Sequence, residues 1–468
     1  MEAAPMDPRE RLALSFILAS AVTTFGLGGA VAYELGTNAS SAATVGSAVG
    51  QSAAASANQG SAATSPAAGT QGGGGVSGGA GAPGPSANSA GSRPAVSTAS
   101  IGVANGVITV GGIYDETGVL DATVERDTVR AYFNEVNAAG GVNGYRFQLV
   151  DCDSAYDPTR AHQCSQQLLS QNILAVVGWL SASGEQPEAP FLTSHGLPII
   201  GGLGVPSEFT DALSYPVSVD LARGAAGAGL HAADLKTLEG GSLKAPGIVL
   251  LTSNFTDQVK KYLLDALHSK GITEKDFITV DATKADYTDT VIRLRSEHVD
   301  SIIAGLDPFS YARFFQAMQR QAYDVRFYGI TALDKSSAAK QYGDKAFATA
   351  ESLTPLIEPV GHESDPAVAE YLGAVRRYFP NQVAALDLYS EGDWVAANVF
   401  VEAVKRIGKQ PVTRKALVDA LNGIQNYQTG LTVPISFAPG TSHDPNHCLQ
   451  WIRQQGGTWT TYSGWNCF

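Results

Sequence analysis

The chain has 468 residues, which is enough for two or three domains of ordinary size. Its 44 Asp and Glu residues outnumber its 31 Lys and Arg residues, so the net charge at pH 7 is −13. This balance argues against a nucleic-acid-binding protein, because such proteins cluster Lys and Arg on one face.

Residues 1–35 are typical of the start of an exported protein. Arg9 and Arg11 precede an uncharged, largely apolar run from Leu12 to Ala32, and no cysteine follows it closely, which excludes a lipoprotein anchor. The run exceeds the about 7–15 residues of a signal-peptide core and approaches the roughly 20 that span a bilayer. Because Ala30 and Ala32 also form an acceptable cleavage site, both a signal peptide and a membrane anchor remain open. Either places the remainder outside the cytoplasm.

Residues 36–104 form a linker of Ala, Gly, Ser, Thr and Pro with almost no charge and few large apolar side chains. Such a composition cannot bury a core, so we expect a disordered, flexible segment. Its role is either a spacer between the membrane and the folded part or a pro-region without a function of its own.

The stretch from Val129 to Pro158 predicts half of a βαβ unit, after a strand at Val107–Ile113. Val129, Tyr132, Phe133 and Val136 make the apolar stripe of an amphipathic helix. Gly140 and Gly141 end this helix, because glycine adopts the left-handed conformation that stops helices. A tight turn at residues 142–144 then leads into an alternating strand through residues 145–149.

Strand and helix patterns continue to alternate along the chain. This alternation predicts an α/β protein with parallel sheets covered on both faces, in an open doubly wound arrangement. The later strands are predicted at Ile173–Val177, Leu197–Ile200, Ile248–Leu251, Ile278–Val280, Ser301–Leu306 and Arg326–Tyr328. The later helices are predicted at residues 259–267, at Val368–Phe379 and at Ala396–Ile407.

Residues 136–158, with VNAAGGVNG followed by spaced Leu, Asp and Asp-Pro, resemble the signature of type I periplasmic solute-binding proteins. The leucine and branched-chain amino-acid group, which serves ABC importers, is the most similar branch, from about Val107 to about Phe437. The resemblance implies two Rossmann-like lobes joined by three crossovers near Asp220, Leu353 and Gly430. Lobe 1 would comprise residues 105–220 and 354–430, and lobe 2 residues 221–353 and 431–468.

Ligands of open α/β sheets bind at the carboxyl ends of the strands, so the loops there are the candidate site. We expect small hydroxyl groups and glycine amides to bind a carboxylate, and aromatic rings to cover the apolar part of the ligand. The alternative is that these are ordinary surface turns, with Trp179 and Phe255 packed in the core. The candidates are Tyr114, Asp115, Trp179, Ser181, Ser183, Gly202, Leu203, Gly204, Phe255, Asp307, Phe309, Thr331 and Tyr389.

The chain departs from the family at three of these loops. Ala182 stands between Ser181 and Ser183 where a binding serine is usual, and the usual threonine is replaced near Gly204 or Val205. Thr331 replaces the acidic residue that receives the ligand's ammonium.

A buried ammonium without a counter-charge is costly. We therefore hypothesise that the ligand is not a standard α-amino acid, or that Asp115 or Asp307 holds its amine.

The four cysteines predict two disulfides, Cys152 with Cys164 and Cys448 with Cys467, because their number is even and each pair is close in sequence. Each would stabilise the fold by about 3 kcal/mol and indicates an oxidising compartment. The alternative is a metal site at His443, His447 and Cys448, or at His162 beside Cys164. Neither cluster has the paired ligand spacing of a strong metal motif, so no metal or cofactor is predicted.

The phosphate-loop motif GxxxxGK[ST] is absent from the sequence, and the one GxSxG match, at residues 75–79, lies in the Gly-rich linker and not between a strand and a helix. We therefore predict an extracytoplasmic solute-binding protein, not an enzyme, that captures a small polar ligand such as an amino acid or a related amide or carboxylate. Its partner would be the permease of an ABC importer. The alternative is a ligand-sensing receptor subunit that acts on a signalling partner, and a hydrolase is the weakest of the three interpretations.

Overall fold

The computed structural model describes residues 96–238, 243–331, 350–440, 442–455 and 458–468. The predicted signal or anchor segment, and the predicted linker up to residue 95, lie outside the described residues. Within these ranges, no helix combines the length and the apolar character needed to cross a bilayer.

The predicted helix, turn and strand are confirmed. Strand β2 (Val107–Tyr114) is followed by helix α1 (Thr123–Ala138) and strand β3 (Arg146–Asp153), and β2 and β3 pair in parallel. After the helix ends at Ala138, Gly141 adopts a φ of 80°, and a side chain there would collide with the carbonyl oxygen of Tyr145. The turn also anchors a later helix, because Asn143 Nδ2 donates to the carbonyl oxygen of Val404 at 2.9 Å.

The first sheet belongs to lobe 1. Its strands are β1 (Val103–Ala104), β2 (Val107–Tyr114), β3 (Arg146–Asp153), β4 (Val176–Val177), β5 (Ile199–Ile200) and β6 (Ser214–Tyr215). The order is β3-β2-β4-β5-β6, all parallel, and the short β1 pairs antiparallel with the start of β2. Parallel strands of this kind are buried on both faces.

The second sheet belongs to lobe 2 and has eight strands. They are β7 (Pro246–Leu251), β8 (Asp276–Val280), β9 (Ser301–Gly305), β10 (Arg326–Gly329), β11 (Ala350–Thr354), β12 (Cys448–Gln455), β13 (Thr458–Thr461) and β14 (Asn466–Cys467). The order is β13-β12-β11-β10-β9-β7-β8, and β14 pairs with β12. Strands β7 to β11 are parallel, whereas β12, β13 and β14 join antiparallel, which confirms the predicted final hairpin.

Helices cover both faces of each sheet, as the strand and helix alternation predicts. Those of lobe 1 are α1 (Thr123–Ala138), α2 (Pro158–Ser170), α3 (Glu185–Ser194), α8 (Pro366–Tyr378), α9 (Leu388–Ile407) and α10 (Arg414–Asn422). Those of lobe 2 are α4 (Leu221–Leu238), α5 (Thr256–Ser269), α6 (Thr288–Ser296) and α7 (Pro308–Arg320). Two short 3₁₀ helices, Pro206–Phe209 and Pro380–Ala385, belong to lobe 1.

Apolar side chains fill four clusters, one on each face of each sheet. The largest lies between the first sheet and helices α1, α8, α9 and α10, where the rings of Tyr132 and Trp394 meet edge to face at 4.7 Å. Aromatic contacts of this geometry add to the stabilisation that burial of apolar surface provides. Helices α8, α9 and α10 come after β11 in the chain, so the residues that follow β11 return to lobe 1.

The third crossover lies later than predicted. Leu431, Ile435 and Phe437 are fully buried in the largest cluster of lobe 1, although the sequence assigned residues 431–468 to lobe 2. The physical reason is a backbone ladder, in which Tyr427 and Ile435 exchange two hydrogen bonds and hold this segment on lobe 1. The chain therefore crosses to lobe 2 between Phe437 and Cys448, not near Gly430.

Side chains tie the three crossing segments to each other. Asn446, on the third crossing, donates to the carbonyl oxygen of Pro355 on the second at 3.3 Å and to Thr432 Oγ1 at 3.1 Å. Asp444 forms an ion pair with Arg223, just after the first crossing. The crossings thus form one joint at which a hinge motion of the lobes would be centred.

Both predicted disulfides are present. Cys152 pairs with Cys164, with the Cα atoms 5.6 Å apart, and joins β3 to α2. Cys448 pairs with Cys467, with the Cα atoms 3.9 Å apart, and joins β12 to β14. The described residues contain no group of three His, Cys, Asp or Glu side chains placed to hold a metal ion.

Because both pairs are bonded, thiol titration of the denatured, unreduced protein should find no free thiol among the four cysteines. The same protein, treated with a reductant before titration, should give four thiols per chain and serves as the control. A value near two before reduction would show that one of the bridges does not form.

Candidate functional site

A cleft lies where the strands of both sheets end, as the sequence predicts for this fold. It encloses about 860 Å³ of space between protein atoms, part of it open to solvent. Lobe 1 contributes Leu180, which follows β4, and lobe 2 contributes Leu251, Gly305 and Ile330 at the ends of β7, β9 and β10.

Five of the thirteen candidate ligand residues line this cleft. They are Leu203, Phe255, Asp307, Thr331 and Tyr389. The remaining eight do not line it: Tyr114, Asp115, Trp179, Ser181, Ser183, Gly202, Gly204 and Phe309.

Burial explains why four of these eight are displaced from the cleft. Tyr114, Asp115 and Ser181 are fully buried, and Trp179 is 1% exposed within the cluster beneath α2 and α3. The core-packing alternative therefore describes Trp179, whereas Phe255 lines the cleft.

Half of the sixteen lining residues that sequence reasoning missed have large aliphatic side chains. These residues are Leu120, Leu180, Leu221, Leu250, Leu251, Val259, Leu306 and Ile330. The sequence contains a usable signal, because Leu306 and Ile330 follow their strands directly and Leu180 lies three residues after the end of β4, so each extends the apolar run into the loop. The predicted site favoured polar loop residues and therefore left these three side chains out.

The carboxylate of Asp115 occupies backbone donors on two neighbouring loops. One oxygen accepts from the amide of Ala182 at 2.8 Å, and the other accepts from the amide of Tyr156 and the hydroxyl of Ser154, both at 2.7 Å. Burial raises the pKa of Asp115, although all three donors oppose that shift. With three partners of its own, this carboxylate does not offer the predicted counter-charge for a ligand amine.

A second buried carboxyl, Glu185, occupies donors in the same way. Its oxygens accept from the amide of Ser181 at 2.9 Å and from the amide of Leu203 at 2.7 Å. Glu208 accepts from the amides of Gly204 and Val205, both at 3.3 Å. The expectation that these loop amides are free to bind a ligand carboxylate is therefore corrected, because internal carboxyls already occupy them.

Glu185 and Glu208 are both fully buried and lie against each other. Burial raises the pKa of Glu208 to about 7. Burial, followed by the charge of Glu208, raises the pKa of Glu185 well above its ordinary value. Two adjacent carboxyls in such a site keep a proton between them, because two unscreened negative charges would repel.

The polar residues on the lobe 2 side of the cleft are also engaged internally. Asp307 caps α7 by accepting from the amides of Phe309 and Ser310, both at 2.9 Å. Thr331 Oγ1 donates to the carbonyl oxygen of Leu306 at 2.6 Å, and Thr256 Oγ1 donates to that of Leu251 at 2.7 Å. Their hydrogen-bonding capacity is largely used within lobe 2.

The charges at the cleft are of one sign. The acidic residues Glu125, Asp307 and Asp387 line it, and none of its described lining residues is Lys, Arg or His. The arrangement is chemically suited to enclosing apolar surface, and it offers an anion no cationic partner among the described residues.

A family model described as periplasmic binding protein matches residues 107–458. The Leu/Ile/Val-binding protein of Escherichia coli (strain K12) is 22% identical to this chain over 281 residues, which are 60% of this chain and 72% of that protein. These names describe solute-binding proteins and not enzymes, in agreement with the prediction that the chain is not an enzyme.

Two solved structures are similar at the level of the fold. A fatty acid ABC transporter substrate-binding protein from Thermomonospora curvata has a TM-score of 0.67 and 19% identity, covering 79% of this chain and 94% of its own. A branched chain amino acid ABC transporter from Thermus thermophilus with bound valine has a TM-score of 0.67 and 17% identity, covering 77% and 97%. The predicted fold class is confirmed.

Proposed function

Because this chain belongs to the periplasmic binding protein family, we propose that it captures a small, largely apolar solute between its lobes and delivers it to an ABC importer. The observation that carries the proposal is the cleft at the strand ends of both sheets, with a predominantly apolar lining. Pockets that hold small molecules combine such a lining with a few polar groups. The linked crossings support closure of the lobes over the ligand.

The proposed site comprises the cleft-lining candidates Leu203, Phe255, Asp307, Thr331 and Tyr389, together with the aliphatic residues around them. Closure would remove this apolar surface from water, at about 25 cal/mol for each Å² that ligand and protein bury together. We propose an extracytoplasmic location as well, because disulfides persist in oxidising compartments. Residues 1–35 would direct export, with or without cleavage.

We expect no measurable calorimetric binding of leucine, isoleucine or valine at micromolar concentrations. The family's usual serine is Ala182 here, the amide of Ala182 is bound to Asp115, and Thr331 stands where the acidic partner of the ammonium is usual. A zwitterion would lose its hydration without gaining these partners. Dissociation constants in the micromolar range or below would contradict this expectation, and a related leucine-binding protein serves as the positive control.

Mass spectrometry of molecules released from gently purified protein would test the proposed solute. We expect one class of largely apolar small molecule at close to one per chain. Failure to find any co-purified or added small molecule that binds would count against the proposal.

Delivery to an importer has its own test. Reconstituted permease and ATPase subunits encoded beside this chain should hydrolyse ATP faster when the loaded protein is added. An unchanged rate, together with activation of a neighbouring kinase or cyclase, would favour the sensing alternative instead.

A further inference from the structure

We infer that the ligand is an uncharged, elongated and mainly apolar molecule that carries no carboxylate. This inference rests on the proposed function and names the chemical class that the cleft would accept.

The first argument is that internal acceptors have taken the amide donors of lobe 1. Two loops of lobe 1 border the cleft at Ala182 and Leu203, and the amides of residues 181, 182, 203, 204 and 205 are candidate donors to an anionic head group. Asp115, Glu185 and Glu208 accept from all five. A ligand carboxylate that used these amides would have to displace a buried protein carboxyl that already fits.

The second argument is the sign of the lining charges. Glu125, Asp307 and Asp387 surround the same space, and cationic side chains are absent from its described lining. A carboxylate brought into this space would leave water and meet like charges, both of which disfavour the ionised form. An uncharged molecule encounters neither penalty.

The third argument concerns shape. A smaller cavity of about 340 Å³ adjoins the cleft and shares Leu203, Leu221, Ile330, Thr331 and Tyr389 with it. It extends to Pro355 at the second crossing, and its further lining includes Val219, Leu353, Leu388 and Leu449. Two contiguous apolar spaces fit a chain that runs from the cleft towards the joint between the lobes.

A matched pair of fluorescent probes tests the charge preference. N-phenyl-1-naphthylamine is uncharged, and 1-anilinonaphthalene-8-sulfonate has the same aromatic skeleton with one added sulfonate. At pH 7.5 we expect one-to-one binding of the uncharged probe with at least tenfold higher affinity than the sulfonate. We also expect 1-octanol to displace the bound probe at a concentration at least tenfold lower than octanoate.

Two variants place a cation in the cleft, one from each lobe: Leu203→Lys and Leu251→Lys. Both side chains are only partly buried, and the amide of Leu203 keeps its bond to Glu185 after substitution. Each variant should lower the preference for the uncharged probe at least tenfold. Ile292→Lys, on an exposed position of α6 outside the cleft, makes the same charge change and should leave the preference unaltered.

Equal or tighter binding of the sulfonate or of octanoate by the unchanged protein would overturn the inference while leaving solute capture intact. The inference would also be overturned, with solute capture intact, if neither Leu203→Lys nor Leu251→Lys alters the preference for the uncharged probe in protein that keeps its native circular dichroism. Absence of one-to-one binding of both probes would instead refute the apolar-cleft proposal, and the inference with it.

Discussion

Replacing Asp115 by alanine will lower the free energy of unfolding by about 3–5 kcal/mol and weaken ligand binding at least tenfold. The carboxylate is fully buried and accepts from Ser154, Tyr156 and Ala182. Removing it leaves three donors without their partner. Each buried donor left unpaired costs about 1–3 kcal/mol, and relaxation of the loops and entry of water recover part of this cost. Because Tyr156 and Ala182 line the cleft, its lobe 1 wall will lose its fixed shape as well.

Chemical denaturation and titration with the uncharged probe measure the two effects. Asp115→Asn should fall between the wild type and alanine, because an amide keeps one acceptor oxygen but sets its own donor against a backbone donor. Asp265→Ala removes an exposed carboxylate paired with Lys261 and should change stability by less than about 0.5 kcal/mol. A loss at Asp115 no larger than that at Asp265 would refute the role assigned to it.

Raising the pH from 5 to 8 will reduce the free energy of unfolding by on the order of 3 kcal/mol through the buried pair of Glu185 and Glu208. The pKa of Glu208 in the folded protein is raised from 4.5 to about 7, so the folded state keeps a proton that the unfolded state has released. Stability therefore falls as the pH rises between these two values and is level above the higher one. Each unit of pKa difference corresponds to about 1.36 kcal/mol.

Other groups affect the same curve. Burial also raises the pKa values of Asp115, Asp220, Asp307 and Asp393, and each of these adds a loss of the same sign. Hydrogen bonds lower the pKa of Asp153, and the stability it contributes is lost only as the pH falls below the ordinary range of a carboxyl. Between pH 5 and 8 we therefore expect stability to fall, in the direction set by Glu116 and Glu208, whose pKa values burial raises to about 7.

The substitution Glu208→Gln measures how much the pair of Glu185 and Glu208 contributes to the pH dependence of stability. Glutamine keeps one acceptor oxygen, which can serve only one of the amides of Gly204 and Val205 because these donate to different oxygens of Glu208, and its own amide can donate to Glu185. We expect the slope of stability against pH between 5 and 8 to decrease by at least one third. An unchanged slope, or a wild type more stable at pH 8 than at pH 5, would contradict this account.

The fold could be predicted from local patterns because its determinants are local. The apolar stripe of α1, the glycines after it and the alternation of β3 each specify one element within a few residues. The position of the cleft followed from topology alone. The late third crossover did not, because pairing of Tyr427 with Ile435 holds a segment with no regular strand pattern on lobe 1.

The composition of the site was harder to predict, for a physical reason. Asp115 and Ala182 are 67 residues apart, yet they share a hydrogen bond that decides whether an amide is available to a ligand. Sequence shows that a loop contains donors, but not which donors the protein itself occupies. The departures at Ala182 and Thr331 predict an altered ligand, and the hydrogen bonds of the three internal carboxyls support that prediction.

The antiparallel strands β12 and β13 also affect the tendency of folded copies of this protein to associate with one another. Without them, β11 would be the outermost strand of the lobe 2 sheet, and its free backbone groups would be a template for another chain to pair with. The sheet ends instead on the four residues of β13, and the bridge from Cys448 to Cys467 holds β14 against β12. Reduction of that one bridge should therefore favour aggregation at high protein concentration more than it alters ligand affinity.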